Sequence, residues 1–184
     1  MAAASIASAE SEEPDIATAA DSPWTKVCLG EACYVSKGRY AYCGLIAEVA
    51  LVERKTEAGQ LLNIGLSMRI NPEHQIRLTI DRNGPVTRPI SKCDVRGCWA
   101  DYESGPELVD QLKQGQMLVL EAVNRDNSPH TVTIPLAGFA KAYDGPPMPM
   151  PVMQERILSK AEMNALREQD QRAKDERGRR CGLP

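Results

Sequence analysis

Two short segments of this chain each place a pair of cysteines five positions apart. They are CLGEAC, from Cys28 to Cys33, and CDVRGC, from Cys93 to Cys98. A sulfur pair in a short segment can bind zinc, carry out redox chemistry or close a turn as a disulfide. The three uses belong to different classes of protein, so the choice among them constrains the fold and the location of the chain.

Zinc and redox chemistry fit these segments poorly. Structural zinc sites gather four ligands, most often from tighter loops, whereas here the two pairs lie about 65 residues apart and contain no histidine. A thioredoxin-like centre needs C-x-x-C at the start of a helix. We therefore predict two local disulfides, Cys28–Cys33 and Cys93–Cys98, with Gly30 and Gly97 giving each turn its backbone freedom. Each would stabilise the fold by on the order of 2 kcal/mol and indicates an oxidising compartment.

Two cysteines remain outside these pairs, Cys43 in the first half of the chain and Cys181 near its end. They can form a third disulfide that ties the end of the chain to the rest. A free Cys181 thiol fits the sequence equally well, and both alternatives stay open.

Charge divides the chain into three parts. Residues 1–23 hold five acidic residues and no Lys or Arg, and we predict that this Ala- and Ser-rich segment is disordered. It lacks the basic and apolar regions of a secretory signal. Because the paired cysteines indicate an oxidising compartment, we expect a signal to have been removed; an uncleaved cytosolic tail is the alternative. The net charge of −3 argues against a nucleic-acid partner, and no apolar run approaches the ~18 residues of a membrane helix.

The central part reads as strands. QIRLTID alternates, with Ile76, Leu78 and Ile80 on one face, and similar runs recur at short spacing. One helix is predicted in SGPELVDQLKQG, with Ser104 as its cap, Pro106 in its first turn and Gly115 at its end. We predict an all-β, antiparallel β-sandwich of the jelly-roll kind over residues 24–145; a partly open barrel fits the same pattern.

A change of composition follows the sandwich. Residues 146–158 contain PPMPMPV, which predicts an extended Pro/Met-rich linker. Residues 159–184 predict a charged helical tail that opens with a capping box, Ser159 and Glu162. The tail has no apolar stripe beyond Leu166, so we expect a solvated helix, with a helix that docks on a partner as the alternative.

The order of motifs resembles one known family. PWTKVC, EACYV, LLNIGLSMRI, IRLTID, CDVRGCWA, ELVDQLKQG and IPLAGFAKAYDG, spread from Trp24 to Asp144, resemble the invasion-associated locus B family of Gram-negative envelope proteins. The most specific segment runs from Cys93 to Ala100. Cys43 and Cys181 have no counterpart in that pattern.

The resemblance implies an exported β-sandwich with paired cysteines and an association with host-cell invasion and virulence. We therefore expect a non-enzymatic protein, periplasmic or secreted and outer-membrane associated, with a protein partner in the envelope or on the host cell. The alternative is a periplasmic accessory protein that docks an envelope complex through its C-terminal helix. The oligomeric state stays open.

No residue pattern predicts catalysis. His74 and His130 lie beside prolines, and we expect both to be exposed loop residues with no carboxylate to orient them. Trp24 and Trp99 each neighbour a predicted disulfide, and we expect their rings to cover it and close the core. We predict no catalytic, cofactor-binding or metal site.

Overall fold

The computed structural model describes residues 20–41, 43–54, 59–149 and 160–181. Within these ranges the chain forms two antiparallel β-sheets, three helices and connecting turns. The strands are β1 (Ala20–Asp21), β2 (Thr25–Leu29), β3 (Ala32–Ala41), β4 (Gly44–Arg54), β5 (Gln60–Leu66), β6 (Gln75–Ile80), β7 (Val86–Pro89), β8 (Lys92–Asp94), β9 (Gly97–Ser104), β10 (Met117–Val123) and β11 (Pro129–Pro135). The helices are α1 (Pro106–Gln114), α2 (Phe139–Asp144) and α3 (Lys160–Cys181).

The two sheets differ in size. The seven-stranded sheet has the order β1-β3-β4-β5-β9-β8, with β2 also paired to β3. The four-stranded sheet has the order β11-β10-β6-β7. The described strands therefore confirm an antiparallel β-sandwich, and the sheets do not join into a closed barrel.

Period-2 alternation decides which face of each strand is buried. In β6, Ile76, Leu78 and Ile80 are at most 2% exposed, and in β10 Leu118 and Leu120 are fully buried. Alternate side chains of a strand point to opposite faces, so these residues form one side of the core. A hydrogen bond also joins the sheets, because the Tyr102 hydroxyl on β9 donates to the Ile76 carbonyl oxygen on β6 at 2.6 Å.

Helix α1 matches its prediction with one correction. Pro106 occupies the first turn and Gly115 ends the helix, but the N-cap is Gly105. Ser104 instead ends strand β9, where it is 6% exposed and its hydroxyl has no hydrogen-bond partner among the described residues. The sandwich also carries α2, a second short helix that the sequence did not predict.

The ends of the sandwich differ in part from the prediction. Strand β1 pairs with β3 and lies inside the segment 1–23 that we predicted to be disordered; residues 1–19 lie outside the described residues. In the predicted linker, the Met148 amide donates to the Lys26 carbonyl oxygen on β2 at 2.7 Å, so the linker begins along the edge of that strand. Residues 150–159 also lie outside the described residues.

The predicted C-terminal helix is present as α3. Among the helices described, none combines the length and the apolar character needed to cross a membrane.

Candidate functional site

The first cysteine pair closes the hairpin between β2 and β3. Cys28 and Cys33 form a disulfide and lie directly opposite each other, with Cα atoms 4.0 Å apart. This separation is close to the ~4.5 Å of a non-hydrogen-bonded antiparallel pair. Gly30 turns the chain with a φ of +58°, and Leu29 beside it is half exposed. This left-handed conformation agrees with the prediction that Gly30 gives the turn its backbone freedom.

The second pair closes the hairpin between β8 and β9 in the same way. Cys93 and Cys98 form a disulfide across opposed positions, with Cα atoms 4.1 Å apart. The tip between them presents Val95, which is 87% exposed, and Arg96.

Asp94 fixes the conformation of this tip. Its carboxylate accepts the Arg96 amide at 2.8 Å and the Arg96 guanidinium at 3.1 Å. These hydrogen bonds, the backbone one first, hold the pKa of Asp94 below its usual value. The Arg96 guanidinium lies 5.9 Å from the centre of the Trp99 ring, within cation–π range. The tip is therefore an ordered surface element that carries one apolar and one basic side chain.

Gly97 acts differently from the prediction. Its φ is not positive, so the turn does not need a left-handed residue there. A Cβ at position 97 would instead collide with the carbonyl oxygen of Leu66 on β5 and crowd the Leu45 side chain. The glycine is required because the two backbones approach closely, which depends on a strand distant in sequence.

The remaining cysteines are joined to each other. The structure contains a Cys43–Cys181 disulfide, which links the tip of the β3–β4 hairpin to the last residue of α3. The described side chains between Met163 and Glu176 are exposed, so this part of α3 buries little surface. Ion pairs one turn apart support the helix, Lys174–Asp170 at 2.6 Å and Arg172–Glu168 at 3.8 Å.

A polar cluster that the sequence did not reveal surrounds Tyr143 on α2. Its hydroxyl donates to Glu53 on β4 at 2.6 Å and lies 2.7 Å from the amide nitrogen of Gln60 on β5. The Lys26 ammonium donates to the Tyr143 carbonyl oxygen at 2.7 Å, and the Lys113 ammonium lies 4.2 Å from its ring. Burial, together with the bond to Glu53, raises the pKa of the Tyr143 hydroxyl. These contacts join α2 to β2, β4, β5 and α1, so we assign this cluster the role of fixing α2 on the sandwich.

The two tryptophans differ in position. Trp24 is 7% exposed and belongs to the core, where its ring meets Phe139 edge-on at 5.0 Å and its indole N–H donates to Pro135. Trp99 lies on the other face of the large sheet, against Gly65, and its indole nitrogen has no partner among the described residues. The expectation of a core role therefore holds for Trp24, whereas the Trp99 ring packs on the sheet itself.

The histidines also differ. His74 is exposed in a turn, as expected. The expectation for His130 is wrong, because it lies within β11 and is partly buried, which lowers the pKa of its imidazole. No set of three or more Cys, His, Asp or Glu residues in the described ranges is arranged to bind a metal ion. Since the six sulfurs form three disulfides, this structure leaves no thiolate for zinc.

Three disulfides indicate that the chain folds in an oxidising, extracytoplasmic compartment. No curated protein matches the chain. Its fold is similar to the crystal structure of invasion associated protein B from Bartonella henselae, with a TM-score of 0.57 and 15% sequence identity over 68% of this chain and 94% of that one.

The family comparison covers the sandwich. The model of the family described as invasion associated locus B (IalB) protein matches residues 24–147, which include Cys43 but not Cys181 or α3. The match spans most of the chain and includes every strand of the two sheets except β1. The chain belongs to the invasion associated locus B family.

Proposed function

We propose that this chain is an exported envelope protein that binds a protein partner, in the envelope or on a host cell, and catalyses no reaction. The division into a sandwich of residues 24–145, a linker of residues 146–158 and a helical tail of residues 159–184 is part of this proposal. Family membership supports the envelope association, and the three disulfides support export.

The observation that carries the proposal is the tip of the β8–β9 hairpin. Val95 is 87% exposed, although a valine at that position contributes nothing to the core. The disulfide below it and the Asp94–Arg96 hydrogen bonds hold the tip in one conformation. A preordered contact loses little conformational entropy on binding, which favours a partner with an apolar pocket beside an acidic group.

A matched pair of hairpins allows a direct test. The Val95→Ser, Arg96→Ser double variant removes the contact groups at one disulfide-closed tip, and Leu29→Ser removes the exposed apolar side chain at the other. We expect capture of a cross-linked partner from native membranes to fall at least tenfold for the double variant and to be unchanged for Leu29→Ser. Unchanged capture by the double variant would rule out this tip as the contact.

A second candidate function uses α3 as the docking element. The observation that favours it is the attachment of an exposed, charged helix to the sandwich by the Cys43–Cys181 disulfide. Deleting residues 160–184 together with Cys43→Ser removes the helix without leaving an unpaired thiol. If this deletion abolishes capture while Val95→Ser, Arg96→Ser does not, the partner binds the helix.

A further inference from the structure

The three disulfides of this chain join very different pairs of elements. Cys28–Cys33 and Cys93–Cys98 each connect directly opposed residues of one hairpin. Cys43–Cys181 connects residues 138 positions apart, one on a hairpin tip and the other at the end of a helix. The consequences of breaking each bond are therefore different.

In the hairpins, the strand pairing keeps the sulfurs adjacent after reduction. Cys33 and Cys98 lie in strands that are also paired on their other side, with β4 and β5 respectively. The backbone ladder holds each cysteine opposite its partner, so the effective concentration of one thiol near the other stays high and the disulfide re-forms readily.

No strand pairing holds Cys43 opposite Cys181, because one lies at a hairpin tip and the other ends a helix. The described side chains of α3 between Met163 and Glu176 are exposed, and the helix has almost no apolar face. Once the bond opens, Cys181 is tethered to the sandwich through α3 and the preceding segment. The effective concentration of a thiol on such a long tether falls below the ~mM value of a short flexible linker, so re-formation is disfavoured relative to the hairpins.

Access alone does not separate the third disulfide from the second hairpin disulfide, so the difference between them lies in how readily each re-forms. Cys43 and Cys93 are both exposed, whereas Cys181 is 6% exposed and Cys98 is fully buried. A reductant can therefore reach the third disulfide at Cys43.

We infer that the Cys43–Cys181 disulfide is a redox-operated clasp that a dithiol reductant opens before either hairpin disulfide, detaching α3 from an intact sandwich. One thiolate of the dithiol attacks the Cys43 sulfur, which forms a mixed disulfide and expels the Cys181 thiolate. The second thiol of the reductant then displaces Cys43 and closes the reductant into its own disulfide. The protein gains two electrons and two protons, which the dithiol loses.

The test is a titration of the oxidised full chain with dithiothreitol under native conditions. Thiols are alkylated at each concentration, and peptide mass spectrometry reports the labelled fraction of each cysteine. We expect half-labelling of Cys43 and Cys181 at a dithiothreitol concentration at least tenfold below that for the hairpin cysteines. Small-angle scattering at that concentration should show a larger radius of gyration, because α3 moves away from the sandwich.

Two double variants serve as controls for the labelling and scattering measurements. Cys43→Ser, Cys181→Ser should show the larger radius without reductant and no further change at the same concentration. Cys28→Ser, Cys33→Ser should leave the labelling midpoint of Cys43 and Cys181 unchanged. The proposal is overturned if the hairpin cysteines are labelled first or together with the third pair, or if the radius of gyration does not increase once Cys43 and Cys181 are reduced. No partner binding is measured, so the outcome is independent of the proposed function.

Discussion

In the sandwich, strands are held by backbone hydrogen bonds and by apolar side chains of the facing sheet, whereas α3 is attached to it through Cys181. The inner faces of the sheets exclude water over residues such as Leu51, Ile64 and Leu120, all fully buried. The described side chains of α3 between Met163 and Glu176 are exposed. One chain thus combines a part ordered by the hydrophobic effect and a part positioned by a covalent bond.

The largest effect should come from Phe139, which is fully buried on α2 between Trp24 and Tyr143. Phe139→Ala removes a buried ring and leaves a cavity, so we expect the free energy of unfolding of the sandwich to fall by about 3–5 kcal/mol. Denaturant unfolding followed by tryptophan fluorescence measures this change. Met163→Ala, on exposed α3, is the control and should change nothing measurable. Equal losses in both variants would mean that α3 is packed like the sandwich.

A smaller effect is expected from Tyr102, the residue whose hydroxyl joins the two sheets. Tyr102→Phe leaves the buried Ile76 carbonyl oxygen without this donor, which should lower the free energy of unfolding by about 1–2 kcal/mol. The measurement is again denaturant unfolding. An unchanged midpoint would show that the bond between the sheets adds nothing to the packing that surrounds it.

The third prediction concerns the bond that separates the two regions. Cys43→Ser, Cys181→Ser opens a long loop in the unfolded chain, but it also releases α3 in the folded protein. The two gains in entropy largely cancel, so we expect the sandwich to lose only about 1 kcal/mol of stability. Thermal unfolding of the double variant measures this. A loss of several kcal/mol would show that α3 contributes to the packing of the sandwich.

The smallest effect should be the pH dependence of the free energy of unfolding of the sandwich, through His130. Burial lowers the pKa of His130 in the folded state, so the unfolded chain binds a proton more readily. Stability should therefore fall as the pH drops from above the ordinary histidine pKa of ~6.5 to below the folded-state value. His130→Asn should reduce the slope of unfolding free energy against pH in this window. An identical slope in both proteins would exclude His130 as a source of acid sensitivity.

Local sequence pattern predicted those parts of the fold that depend on neighbouring residues. Period-2 alternation identified β6, and the Pro106 and Gly115 signals bounded α1. The spacing of the cysteines likewise predicted both hairpin disulfides, because strand partners in a hairpin are close in sequence.

Features that depend on contacts between distant residues could not be predicted from the sequence. Tyr143 contacts Lys26 and Glu53 from more than 80 positions away, so nothing local marks that cluster or helix α2. The role of Gly97 depends on the backbone at Leu66, and the burial of His130 depends on the pairing of β11 with β10. The pairing of Cys43 with Cys181 stayed open for the same reason.

The most direct test is non-reducing peptide mapping of the protein isolated from the cell envelope. We expect an intact mass short of the fully reduced chain by two hydrogens for each disulfide, six in all, and a cross-linked peptide pair containing Cys43 and Cys181. Alkylation of Cys181 as a free thiol, or its recovery on a peptide joined to any other cysteine, would contradict the account.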